Sequence, residues 1–132
     1  AMENNFHNEY KKYTLIETPY YRGTFEKCVK LKKITSSSLA NVGKYDFKDC
    51  TRLESITLGK NLKSIGDSAF NNNRKLKSVS IKSTKLSKVG KSAFSKIYSK
   101  AKFTVPKSKL KKYKKLIKSN GKAPKNVKFI AK

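Results

Sequence analysis

The sequence is poor in the residues that most chemistry needs: it has two cysteines, one histidine and no tryptophan. Cys28 and Cys50 are too few for a disulfide scaffold, and neither sits in a Cys-x-x-Cys pair or beside a histidine, as a zinc site would require. His7 has no second histidine or cysteine near it, so no metal and no cofactor is expected. No apolar run reaches the roughly 18 to 20 residues needed to cross a bilayer, so no transmembrane segment is expected. The opening AMENNFHNEY lacks the basic and apolar stretches of a signal peptide.

Acidic residues are scarce and unevenly placed. All eight lie at or before Asp67, among 12 of the 33 lysines and arginines, and the remaining 21 basic residues, Arg74 to Lys132, face none. The only sequence cluster of acids, Asp46, Asp49 and Glu54, has no nucleophile or base beside it, so an enzyme is not expected. A net charge of +25 on 132 residues implies contact with something anionic, or strong self-repulsion. The length allows one domain with a modest core.

What the sequence has is a repeat. Phe25, Phe47, Phe70 and Phe94 open successive units, and FEKCVKLKKIT, FKDCTRLESITL and FNNNRKLKSVSI share one pattern, Phe-x-x-(Cys/Asn)-x-x-Leu-x-x-(Ile/Val). A second apolar pair follows in each unit: Leu39 and Val42, Leu62 and Ile65, Leu86 and Val89, closed by Gly43, Gly66 or Gly90. A period of 20 to 50 residues marks a stacked array. Period-two alternation around Ile56 and Leu58, and around Val79 and Ile81, gives each unit a short half-buried strand, and equivalent strands then lie parallel. The closing glycines suit turns of positive φ, and Asp67, Ser68 and Ser92 suit caps of brief outer helical turns. A single unit cannot offset its own ordering entropy, so stacking must supply the stability.

The ends depart from the pattern. Pro106 suits a helix start and Asn120-Gly121 a stop. Leu110, Tyr113, Leu116 and Ile117 share one helical face, which predicts a lid over the last open strand, followed by an extended NVKFIA. Phe6, Tyr10 and Tyr13 at i, i+4, i+7 suggest an N-terminal lid over 4–13. The organisation read from this is an N-terminal segment or cap (1–24), repeats (25–105) and a basic C-terminal cap helix with a terminal strand (106–132).

The motif Leu53-x-x-Ile56-x-Leu58, then Leu62-x-x-Ile65-Gly66-x-x-Ala69-Phe70-x-x-Asn73-x-x-Leu76, resembles the BspA-like, or treponemal-type, leucine-rich repeat family. Asn73 stands where the family has cysteine, Gly59 where it often has proline, and Tyr20-Tyr21 where Ile-Gly is usual. The resemblance implies an α/β solenoid: a small parallel sheet on the concave face, turns and brief helices outside, and a C-terminal cap helix. It further implies a piece of a bacterial cell-surface or secreted protein used in adhesion or protein binding.

Two surfaces are candidates for binding. On the concave sheet, Thr35, Thr57, Ser80 and Thr104 should form one outward column and Lys33, Ser55, Ser78 and Lys102 another. Solenoids bind through such faces, although cross-strand Thr and Ser pairing alone accounts for hydroxyls there. In the basic half, Lys107, Lys109, Lys111, Lys112, Lys114, Lys115 and Lys118 are anion-contact candidates for a cell-wall polymer or acidic glycan. Nucleic acid is disfavoured, because arginine is scarce and the phenylalanines fall at core positions and not between lysines. The helix also has the look of a membrane-surface or nuclear-localisation stretch, but its apolar residues are accounted for by the lid. The expected partner is therefore a protein or a polyanion, with a structural spacer as the remaining reading and a monomer as the expected state. Cys28 and Cys50 occupy equivalent positions in adjacent units. They suit either a disulfide or two small buried side chains, and Asn73 at the next equivalent place favours the second.

Overall fold

The computed structural model describes residues 14–16, 27 and 29–132. The main strands are β1 (Thr14–Ile16), β2 (Lys33–Ser36), β4 (Ser55–Leu58), β6 (Ser78–Ile81), β8 (Lys102–Val105) and β9 (Lys128–Ala131), and burial alternates along the last five. They form one six-stranded sheet in the order β1-β2-β4-β6-β8-β9, with every pairing parallel. Ile34, Ile56, Val79, Phe103 and Phe129 lie in register on its inner face.

Each middle unit also contributes a two-residue strand to a second parallel sheet, of β3 (Asn41–Val42), β5 (Ser64–Ile65) and β7 (Lys88–Val89). Sequence periodicity located Val42, Ile65 and Val89 as inward positions, and they are buried, but two residues are too short a run to read as a strand. Between the sheets, Phe47, Phe70 and Phe94 stack at 5.4 and 5.5 Å with nearly parallel rings. Phe103 meets Phe94 edge-on at 5.1 Å and stacks on Phe129 at 5.3 Å. The phenylalanine repeat is thus a continuous aromatic column, each ring filling the gap between its neighbours.

The outer segments correct the sequence reading. They are turns without helices, because left-handed residues recur twice per unit: Tyr45 and Asp49, Ser68 and Asn72, Ser92 and Lys96. A helix cannot pass through such residues. Alternate amides instead donate to the next unit: Tyr45, Phe47 and Asp49 to the carbonyls of Asp67, Ala69 and Asn71, and Ser68, Phe70 and Asn72 to those of Lys91, Ala93 and Ser95, all at 2.8–3.0 Å. Asp67 and Ser68 therefore do not act as helix caps, and Asp67 Oδ1 accepts the amide of Lys91 at 2.9 Å. Among the described residues no glycine has positive φ. Gly66 and Gly90 are needed for room: a Cβ on Gly66 would lie 2.6 Å from the Lys44 nitrogen, and one on Gly90 would lie 2.6 Å from the Gly66 carbonyl carbon.

At the C-terminal end a 3-10 turn (Lys107–Lys109) follows Pro106 and leads into helix α1 (Leu110–Ser119). Tyr113 and Ile117 are buried, with Leu110 and Leu116 packed against the core. The expected helix is present, but it is not the lid of the last repeat strand. β9 pairs along β8, while α1 packs against β7 and β9. A strand edge exposes a row of backbone donors and acceptors that a strand satisfies and a helix face does not. Beyond the helix the carbonyls of Asn120 and Gly121 accept the amides of Ser92 and Phe94, both at 2.8 Å, closing the outer ladder. The left-handed residue there is Lys122, not Gly121. At the other end β1 falls inside the segment read as a cap. The proposed lid over 4–13, with Phe6, Tyr10 and Tyr13, lies outside the described residues, as do His7, Phe25 and Cys28.

Tyr113 fixes the helix to the repeats. Its hydroxyl donates to the Ser83 carbonyl at 2.7 Å and accepts the Leu86 amide at 3.1 Å. Tyr113→Phe leaves two buried backbone groups unpaired, and is expected to cost about 1–3 kcal/mol in urea unfolding. Burial raises the Tyr113 pKa above its ordinary value of 10.0. The folded state therefore holds this proton longer than the unfolded one, so its contribution is complete below about pH 10 and declines as pH rises further. The Tyr113→Phe chain is expected to lack that component of the alkaline decline.

Candidate binding face

The outward residues of the main sheet form the two columns expected from the repeat. Lys33, Ser55, Ser78 and Lys102 are in register, as are Thr35, Thr57, Ser80 and Thr104. Lys33, Thr35, Ser78 and Lys102 are exposed, and Ser55, Thr57, Ser80 and Thr104 are half-buried. Towards the C-terminal end the columns run one strand further than the sequence reading made them. β9 adds Lys128 beside Lys102 and Ile130 beside Thr104, both exposed. The motif carries no Leu-x-x-Ile spacing in NVKFIA, so only the strand pairing reveals these two. The resulting face is hydroxylic in the middle and lysine-rich towards β9, with Lys82 and Lys132 exposed just beyond β6 and β9.

Acids contribute little to this face. Among the described residues they are Asp46, Asp49, Glu54 and Asp67, and the three aspartates serve the outer turns. Asp46 Oδ2 accepts the Gly43 amide at 2.7 Å, Asp67 accepts from Lys91, and Asp49 Oδ1 accepts the Asn72 side-chain amide at 2.8 Å. That last bond holds the Asp49 carboxyl below its ordinary range, aided by Lys48 against a smaller desolvation effect. Lys48 and Asp49, 3.6 Å apart, form the one ion pair among the described residues. Among the described acids, Glu54, just before β4, is the one next to a strand of the main sheet.

The helical lysines form a separate surface. Lys107, Lys111, Lys112, Lys114 and Lys115 are exposed, while Lys109 and Lys118 are half-buried. Lys118 donates to the Lys125 carbonyl at 3.3 Å, and Lys114 lies 5.9 Å from the Phe129 ring centre. Both are thus partly engaged within the chain. Cys50 is buried, and its amide donates to Asn73 Oδ1 at 2.8 Å, so the asparagine reaches across to the preceding unit. The paired reading with Cys28 falls outside the described residues. Among the described residues no group of histidine, cysteine and acid side chains is placed to hold a metal ion, and no helix is long and apolar enough to cross a membrane.

No curated protein and no solved structure matches the chain. The family described as BspA type leucine-rich repeat region matches residues 19–129 in six copies, a longer span than the 25 to 105 over which the motif was read. The matched span begins after β1, takes in β2, β4, β6 and β8, and ends within β9. On the strength of a match over most of its length, with equivalent parallel strands repeating in register, the chain is a member of the BspA type leucine-rich repeat family.

Proposed function

We propose that the chain is a non-enzymatic binding module, a short solenoid of a bacterial cell-surface or secreted protein, that holds a protein partner against the open face of its main sheet in adhesion. The observation that carries this reading is the pair of solvent-facing columns running in register across the sheet. They present a repeated, shallow set of hydroxyls and ammonium groups at strand spacing, which favours many weak contacts over one deep pocket. No cofactor enters this function.

A second reading is favoured by the acids. The aspartates sit on the outer turns and no acid follows Asp67 in the sequence, so the lysines beyond Arg74 far outnumber nearby counter-charges, and an anionic wall polymer or glycan is a natural partner. One experiment separates the two readings. Wild type and a Thr57→Gln/Ser80→Gln chain, bulkier on the face but unchanged in charge, are titrated against purified extracellular proteins, anionic wall polymer, heparin and duplex DNA at about 50 and about 300 mM salt. The protein-binding reading expects a protein ligand retained at the higher salt and lost in the variant. The polyanion reading expects polymer binding that falls steeply with salt and survives the substitutions. A chain that binds nothing at either salt overturns both and leaves a spacer.

A further inference from the structure

A hollow of about 380 Å³ opens on the flank of the array, lined by Glu54, Arg74, Lys75, Lys77 and Tyr98. It is a product of stacking. Glu54 and Lys77 precede equivalent strands, and the Lys77 amide donates to the Glu54 carbonyl at 3.0 Å. Arg74 and Tyr98 follow equivalent core positions, Asn73 and Ile97, one unit apart, and the Tyr98 amide donates to the Leu76 carbonyl at 3.3 Å. The three basic residues are exposed, and Tyr98 is 43% exposed, one of the few large side chains with apolar surface turned to water.

We propose that this hollow binds a hexuronic acid residue of an acidic polysaccharide. The inference rests on the second, polyanion reading above and gives it a site. The guanidinium of Arg74 offers the planar fork that matches a carboxylate, and Lys75 and Lys77 add positive charge around it. Glu54 only accepts hydrogen bonds, so it suits a sugar hydroxyl and repels a densely charged phosphate. The Tyr98 ring gives the apolar C–H face of a pyranose something to cover. Ser55 and Ser78, next in sequence to Glu54 and Lys77, continue the hydroxyl set onto the open face. The volume lies at the lower end of small-ligand sites, which suits one sugar unit of a chain that continues along the surface. Nucleic acid fits this set less well, since its phosphates would meet Glu54.

The test titrates the full chain with a galacturonate hexamer at about 150 mM salt, with its methyl ester as the uncharged comparator and with dextran sulfate, which has no uronate, at about 50 mM salt as a measure of general charge attraction. Arg74→Gln and Tyr98→Ala, both at exposed positions, are each expected to weaken the hexamer at least about tenfold, as loss of a charge-assisted contact or a ring contact should, while dextran sulfate binding changes little. Lys111→Gln/Lys115→Gln is expected to do the reverse. Equal binding of acid and ester, or hexamer binding unmoved by either hollow variant, overturns the assignment. Dextran sulfate binding without hexamer binding also overturns it while leaving the polyanion reading in place, and failure of both ligands overturns the two together.

Discussion

Replacing Phe70 by alanine is expected to lower the free energy of unfolding by about 3–5 kcal/mol, a large share of the about 5–15 kcal/mol that holds a domain of this kind together. Phe70 is fully buried and is the middle ring of three, stacked on Phe47 on one side and Phe94 on the other. Its loss opens a cavity shared by two unit interfaces, and in an array each interface is a separate part of the stability. Phe129→Ala is the comparator. That ring is only partly buried and touches a single aromatic neighbour, Phe103, so its removal should cost clearly less. Urea unfolding followed by circular dichroism gives both values from the midpoints and slopes. If the two substitutions cost the same, the aromatic column is not what joins the units.

Gly66→Ala is expected to cost about 1–3 kcal/mol or more by overpacking, whereas Gly43→Ala should stay within about 1 kcal/mol. The two glycines close equivalent units and look alike in sequence. A Cβ on Gly66 meets backbone atoms of the preceding unit, the Lys44 nitrogen at 2.6 Å and the Gly43 carbonyl carbon at 2.7 Å, so two units must move apart. Among the described residues the atoms nearest a Cβ on Gly43 are the Asp46 carboxylate oxygens at 3.0 and 3.1 Å, the end of a side chain that can shift at the cost of its bond to the Gly43 amide. Backbone conformation is not the issue, because neither glycine has positive φ. Comparing the thermal midpoints of the two variants checks this directly, and similar midpoints would mean that unit spacing is not limited at Gly66.

The repeat, the inward apolar positions and the outward columns were legible because burial on a strand alternates with a period of two, and because stacking repeats the same environment every 22 to 24 residues. The C-terminal helix was legible from Pro106 and from the spacing of Leu110, Tyr113, Leu116 and Ile117. The outer turns were misread because local rules favour glycine at positive φ. Here the left-handed conformation falls on Tyr45, Ser68, Asn72, Ser92 and others, where the cost is met by amides bonding to the next unit.

The sequence by itself determined that similar units stack, which residues they bury, and that positive charge accumulates towards the C-terminal end, since composition and period are local properties. Only the tertiary structure decided that β9 and not α1 covers the last repeat strand, that the aspartates serve the outer turns, and that Arg74, Tyr98, Glu54 and Lys77 share one hollow. These depend on which backbone groups of distant segments satisfy one another, and a hydrogen bond between units leaves no mark on the sequence of either one.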